Sequence, residues 1–118
     1  LGEYAALPLL RFVQSVSSRT EPAQRLQAMS ILADIAPSWL TGELIELLAD
    51  SEPRVRIQAA VALKRLTRQT QGRGPEEWSA PLAELKDSLD RWHTWWKENV
   101  HRYEQKQTGT IPSKEKNA

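Results

Sequence analysis

One short stretch of this chain occurs twice, and the spacing of its two copies limits the folds available to it. Residues 21–28 (EPAQRLQA) return 31 positions later as residues 52–59 (EPRVRIQA). The similarity continues with Leu32 against Leu63 and Ile35 against Leu66. A repeat of this period indicates a helical hairpin used more than once and stacked on its neighbour. Such stacks mainly present surfaces, so the repeat favours binding over catalysis.

Apolar spacing predicts five helical segments, at about 4–16, 21–36, 38–49, 52–71 and 82–103. In the second segment, Ala28, Ile31, Leu32 and Ile35 share one helical face, and Pro37 ends the segment. Ser51 is the predicted N-cap of the fourth segment. The last segment has an apolar seam with spacings of three or four: Leu82, Leu85, Leu89, Trp92, Trp96, Val100 and Tyr103.

Composition excludes several classes of protein. The chain has 118 residues, a net charge of +1 and no cysteine, which excludes disulfides, thiol catalysis and most structural zinc sites. No run of 18 apolar residues is present, so we predict no membrane span and a soluble protein, cytoplasmic or periplasmic. The chain has no initiator methionine or signal peptide, and we expect a piece of a longer protein or a processed one.

Residues 48–56 (LADSEPRVR), followed by Ala59, Ala60, Ala62 and Leu63, resemble a HEAT repeat of the short bacterial, phycobilisome-lyase-like type. The resemblance covers about residues 4–66. The earlier copy is degenerate, because Gln24 replaces the expected valine and residues 18–20 replace the aspartate turn. The segment 92–99 looks like a Trp-rich tail that follows HEAT repeats in some bacterial proteins.

The resemblance implies an α-α superhelix with a scaffold or protein-binding role, and it transfers no catalytic residue. It also implies that Asp50 accepts backbone hydrogen bonds in its turn, and that Arg56 pairs with such an aspartate in a neighbouring repeat. We therefore predict an all-α, HEAT-like solenoid at residues 1–71, with about two repeats, the first incomplete. A long Trp-rich capping helix at 72–106 and a polar tail at 107–118 follow.

Basic side chains form a stripe along the fourth segment. Arg54, Lys64, Arg65 and Arg68 fall within about a quarter of the helix circumference. One hypothesis is a phosphate-binding stripe, because HEAT-like solenoids can hold nucleic-acid backbone. The other is a solvated face balanced by acids on adjoining helices, such as Glu43, Glu46 and Asp50. The near-zero net charge favours the solvated face.

Tryptophan is frequent, with five in the chain, three of them between Trp92 and Trp96. Large rings can close the open end of a short solenoid, and we favour this capping role. The alternatives are a sugar platform, a membrane-interface anchor or a partner hot spot. Trp95 lies about 60° from the middle of the seam and is the candidate for contact with a partner.

The sequence offers no catalytic or cofactor motif. His93 and His101 are the only histidines and lie eight residues apart, without a nucleophile or metal-ligand pattern. We predict no enzyme, no metal, no cofactor and no small-molecule substrate. An enzyme such as a HEAT-like DNA glycosylase or chromophore lyase would need pocket residues from further repeats. The predicted function is a non-catalytic protein–protein interaction module of a larger bacterial complex, and the alternative is nucleic-acid-backbone binding through the basic stripe.

Overall fold

The computed structural model describes residues 2–15 and 20–104, and every regular element in these ranges is helical. The all-α prediction is therefore confirmed for this part of the chain, whereas the predicted polar tail at 107–118 lies outside it. Short 3₁₀ turns occur at Ser38–Leu40, Pro75–Ser79 and Leu82–Glu84. The five α-helices are α1 (Gly2–Gln14), α2 (Pro22–Ile35), α3 (Thr41–Leu47), α4 (Pro53–Thr67) and α5 (Lys86–Glu104).

The two copies of the repeated sequence begin α2 and α4 in the same way. Each helix has proline at its first position, where the missing N–H would have had no intrahelical partner. The N-cap of α4 is Glu52, whose carboxylate accepts the Arg54 N–H at 3.3 Å. The prediction of Ser51 as the cap was therefore wrong by one residue.

Helix α4 ends four residues before the sequence pattern suggested, at Thr67 rather than near Gln71. The Thr67 hydroxyl donates to the Leu63 carbonyl at 2.7 Å and accepts the Gln69 N–H at 3.0 Å. Arg68 follows in the left-handed conformation, with φ of 63°. This side-chain capping turns the backbone away from the helix axis.

The helices pack in an order that follows the repeat. Helix α1 packs on α2, α3 packs on α4, and α2 lies beside α4. Helices α2 and α4 both begin at one groove, which is lined by Pro22 of α2 and by Glu52, the N-cap of α4. At the other end, the Arg65 guanidinium of α4 donates to the carbonyls of Ala33 and Ala36 at the end of α2. The two repeated helices therefore run side by side in the same direction.

Helix α5 packs against α3 and the 3₁₀ turn that precedes α3, while the turn at Pro75–Ser79 packs against α4. Helices α3 and α5 come close together at Gly42 of α3. A Cβ atom built there would lie 2.8 Å from Cζ2 of Trp96, so any larger residue would push the indole ring away. The absence of a side chain at Gly42 thus sets how closely α3 and α5 approach.

One apolar core joins all these elements. Among residues 2–15 and 20–104, its two largest fully buried side chains are Trp78, from the turn after α4, and Trp92 of α5, and neither indole N–H has a hydrogen-bond partner there. Two residues of the predicted apolar faces are exposed. Ile31 is 44% exposed, on a side of α2 that no described helix covers, and Leu82 is 40% exposed, because it lies in the 3₁₀ turn before α5.

A buried ion pair links the two copies of the repeat. Arg25 is 4% exposed and bonds both carboxylate oxygens of Asp50, with Nη2–Oδ1 at 2.6 Å and Nη1–Oδ2 at 3.0 Å. Its Nε donates to the Val13 carbonyl at the end of α1 at 2.8 Å. Asp50 Oδ2 also accepts the Glu52 N–H at 2.9 Å, as the resemblance implied. The pair therefore ties α1, α2 and the turn before α4 together.

Arg56 occupies the place in α4 that Arg25 occupies in α2, but its partners are backbone carbonyls. Its guanidinium donates to the carbonyls of Asp50, Trp78 and Ala80, at 2.7 to 2.8 Å. Burial lowers the pKa of Arg56, and the carboxylates of Asp50 and Glu52 oppose that effect. The aspartate that the resemblance implied for an arginine of this type is found at Arg25 and not at Arg56.

Candidate functional site

The candidate site is an open groove on the outward face of α4, of about 810 Å³. Its lining combines two apolar residues with three cations: Val61, Pro75, Lys64, Arg65 and Arg68. Val61 is 39% exposed although it lies in the middle of a well-packed helix. We call this feature the α4 groove. Its polar and apolar parts come from one helix face and from the 3₁₀ turn that packs beside it.

Helical geometry explains why the cations and Val61 meet. Lys64 and Arg65 lie three and four residues after Val61, so these side chains share one face of α4. Arg68, the left-handed residue after the helix, completes the lining. The opposite face of α4 carries the buried residues Val55, Ala59 and Leu63. Val61 is therefore an apolar residue within a polar stripe. Its spacing from the cations is visible in the sequence, but Val61 lies outside the apolar face that predicted the helix.

Arg65 has a structural task as well as a place in the α4 groove. Its Nη2 donates to Ala33 and Ala36 carbonyls at 2.9 and 3.0 Å, and its Nε donates to the Ala33 carbonyl at 3.2 Å. These carbonyls end α2 and lack helical partners of their own. The position of the Arg65 guanidinium is therefore fixed, and part of its hydrogen-bonding capacity is used within the fold.

Lys64 and Arg68 are exposed, and within the described ranges neither side chain has a hydrogen-bond or ion-pair partner. Glu43 and Glu46, which were expected to balance the stripe, form no ion pair in the same ranges, and Asp50 is committed to Arg25. The α4 groove thus keeps two cationic side chains available to a ligand.

Arg54 does not belong to this site. It lies in the first turn of α4, away from the groove lining, and its Nε is 3.7 Å from the Glu52 carboxylate on the surface. The structure therefore brings together three of the four predicted basic residues, Lys64, Arg65 and Arg68.

Trp95 lies on a different surface. It lines a smaller groove, of about 340 Å³, with polar residues of α5 and of the loop after α4: Gln71, Asp90, Arg91, Thr94 and Glu98. Asp90 accepts a hydrogen bond from Lys86 at 3.0 Å, which raises the pKa of Lys86. Arg91 packs over Gly72, where φ is +83° and where a Cβ would lie 2.5 Å from Arg91 Nη1.

The Trp95 ring is half-buried and held by other aromatic rings. Its centroid lies 5.6 Å from that of Trp92 in an edge-on arrangement, and 5.5 Å from that of Tyr103. Trp96 stacks on it at 6.4 Å. These contacts use much of the ring for packing, which is the arrangement expected of a capping cluster.

No group of three or more potential metal ligands is found in the described residues, where both histidines are exposed. None of the helices in the same part of the chain combines the length and apolar character that crossing a bilayer requires. Comparison with family models, with curated proteins and with solved structures gives no significant match to this chain.

Proposed function

We propose that this chain is a non-catalytic protein-interaction module, built from two HEAT-like helical repeats and a capping helix, that serves as part of a larger assembly. The packing supports the repeat interpretation, because α2 and α4 carry the repeated sequence and lie side by side in one direction. The equivalent residues Arg25 and Arg56 are both buried and both bond to the element that follows in the stack.

The observation that carries the proposal is the α4 groove. Val61 is 39% exposed and lines the groove together with Lys64 and Arg68, whose side chains have no partner in the described ranges. Interfaces combine an apolar centre with a polar rim, and Arg is enriched in them. A rigid helix presents these groups in fixed positions, which lowers the entropy lost on binding.

A protein partner is favoured over nucleic acid by three features of this surface. Val61 and Pro75 give the groove an apolar floor, which a phosphate backbone would leave uncovered. The Arg65 guanidinium is partly used in capping α2, and Arg54 is displaced toward Glu52. The net charge of +1 adds little general attraction for a polyanion.

Site-specific photocrosslinking in the native source tests the proposal. A photoreactive amino acid replaces Val61, Trp95 or, as a matched exposed control, Ala83, in the intact chain. We expect a discrete protein adduct at position 61 or 95, identified by mass spectrometry and reproduced with the purified partner, and none at position 83. The absence of a protein adduct at both positions, or adducts to nucleic acid alone, would contradict the function.

A further inference from the structure

We propose that the α4 groove binds an acidic, amphipathic segment of a partner protein, with an apolar side chain against Val61 and Pro75 and carboxylates at Lys64 and Arg68. This inference rests on the proposed function and adds to it the chemistry of the partner. The partner segment needs two features at once, an apolar anchor and negative charges beside it.

The apolar part of the argument comes from the groove floor. Val61 is 39% exposed, and Pro75 begins the 3₁₀ turn that packs on α4, so the two residues form a step between two elements. Removing apolar surface of this kind from water lowers the free energy of the complex. A partner that offered charge alone would leave the step exposed, so the anchor side chain is apolar.

The charged part comes from Lys64 and Arg68. Lys64 lies in the last turn of α4 and Arg68 is the left-handed residue that follows the helix, and both line the α4 groove. Neither has a carboxylate partner in the part of the chain that the structure describes. Arg65 covers the carbonyls of Ala33 and Ala36, so these oxygens do not repel an approaching carboxylate. The lining of the groove therefore presents unbalanced positive charge beside its apolar residues.

The charge of the remaining chain argues against self-occupation. Residues 105–118 contain Lys106, Lys114 and Lys116 against the single acid Glu115, so this segment would be repelled by the cations of the groove. The same electrostatic argument favours an acidic segment of another protein.

Fluorescence anisotropy with designed peptides tests the inference on the full chain. The probe is a labelled helical peptide with leucines on one face and glutamates beside them, compared with the same peptide carrying serine for leucine and with a single-stranded oligonucleotide. We expect saturable binding of the leucine peptide below about 1 mM, weakened about fivefold or more by the serine changes. Added salt should weaken it further.

Variants of the chain locate the binding. K64E/R68E should weaken binding of the leucine peptide by about tenfold or more, and V61S by about fivefold. The matched control R11E/R54E makes the same change in net charge at exposed positions outside the groove and should stay within about twofold. Thermal unfolding of each variant verifies that the fold is retained.

The inference would be overturned if the leucine peptide did not bind saturably, or if R11E/R54E weakened its binding as much as K64E/R68E does. It would also be overturned if wild type bound the oligonucleotide, a second copy of itself or a peptide of residues 105–118 more tightly than the leucine peptide. Its failure is separable from failure of the proposed function. If a crosslinked partner binds K64E/R68E with the same affinity as wild type, the acidic-segment proposal is wrong, whereas the proposal of an interaction module still stands.

Discussion

At the scale of single residues, we expect the buried pair Arg25–Asp50 to contribute more to the stability of the fold than any exposed ion pair. Both side chains are almost fully buried, and their bidentate geometry satisfies most of the donors and acceptors that burial removes from water. A buried ion pair stabilises a protein little more than well-packed apolar residues in the same place would. Removing only one partner, however, leaves a buried charge without compensation. Removing one partner alone should therefore destabilise the protein strongly, and the effects of removing both should not be additive.

Asp50→Asn tests this expectation. The substitution preserves shape and one acceptor for the Glu52 N–H, but it leaves the Arg25 guanidinium without a counter-charge. We expect the free energy of unfolding, measured with urea, to fall by about 3–5 kcal/mol. In the double variant R25M/D50N the loss should be smaller than the sum of the two single losses, by about 1 kcal/mol or more.

The control is Arg54→Met, which removes the exposed contact with Glu52 at 3.7 Å and should change stability by about 0.5 kcal/mol or less. Equal effects of D50N and R54M, or strict additivity of R25M and D50N, would show that the buried pair does not hold the two repeats together.

Residue roles were only partly predictable from the sequence. The aspartate turn at Asp50 and the arginine position of the repeat were visible in the pattern, but the pattern alone could not show which arginine meets which acceptor. That choice depends on the next element along the stack: Arg25 meets a carboxylate at position 50, whereas position 81, 31 residues further on, is proline. Arg56 therefore meets the carbonyls of Trp78 and Ala80 instead.

At the scale of elements, the contact of α3 with α5 depends on Gly42. Alanine in a helix is ordinarily more stable than glycine by about 1 kcal/mol. At this position, however, its Cβ would lie 2.8 Å from Trp96, so the indole must move. We expect Gly42→Ala to destabilise the protein by about 1–3 kcal/mol in thermal or urea unfolding.

The effect of G42A on stability should change sign once the Trp96 indole is removed. In a Trp96→Leu background, G42A should become neutral or stabilising, because the helix propensity of alanine then acts without the clash. Gly74→Ala is the control, since its φ is −66° and no atom lies within 4 Å of a Cβ there, so it should stabilise by a few tenths of a kcal/mol. A destabilising G42A in both backgrounds would place the cause elsewhere than in Trp96.

Helix positions followed from the sequence more reliably than the packing between them. Periodicity and the prolines predicted α2 and α4, because each has an apolar stripe and a first-turn proline. Trp78 lies outside every segment that apolar spacing predicted, although it is fully buried. An isolated residue in a 3₁₀ turn shows no period, and only the contact of that turn with α4 explains its burial.

At the scale of the whole molecule, stability should be graded from α4 toward α1. Helix α4 packs against α2, α3 and the turn that carries Trp78, whereas α1 packs mainly on α2. A helix that packs mainly on one neighbour opens at lower free energy than a helix that packs on several. Native-state hydrogen exchange should find α4 amides exchanging only with global unfolding, and α1 amides exchanging earlier.

The measurement is exchange followed residue by residue at increasing denaturant below the unfolding midpoint. The D50N variant should widen the gap between α1–α2 and α4, because the ion pair joins them. Equal opening free energies for α1 and α4 in wild type would show that the molecule unfolds as one unit despite its stacked packing.

The arginine positions of the stack also make the chain extendable by design. Arg25 binds an acid in the turn before the following helix, and Arg56 ends this series because position 81 is proline and the carbonyls of Trp78 and Ala80 accept instead. A tandem duplication of residues 20–50 would supply each inserted arginine with its own aspartate and leave the terminal unit unchanged. The 31-residue spacing therefore sets the length of a genetic insertion that should lengthen this protein by one repeat while retaining its end.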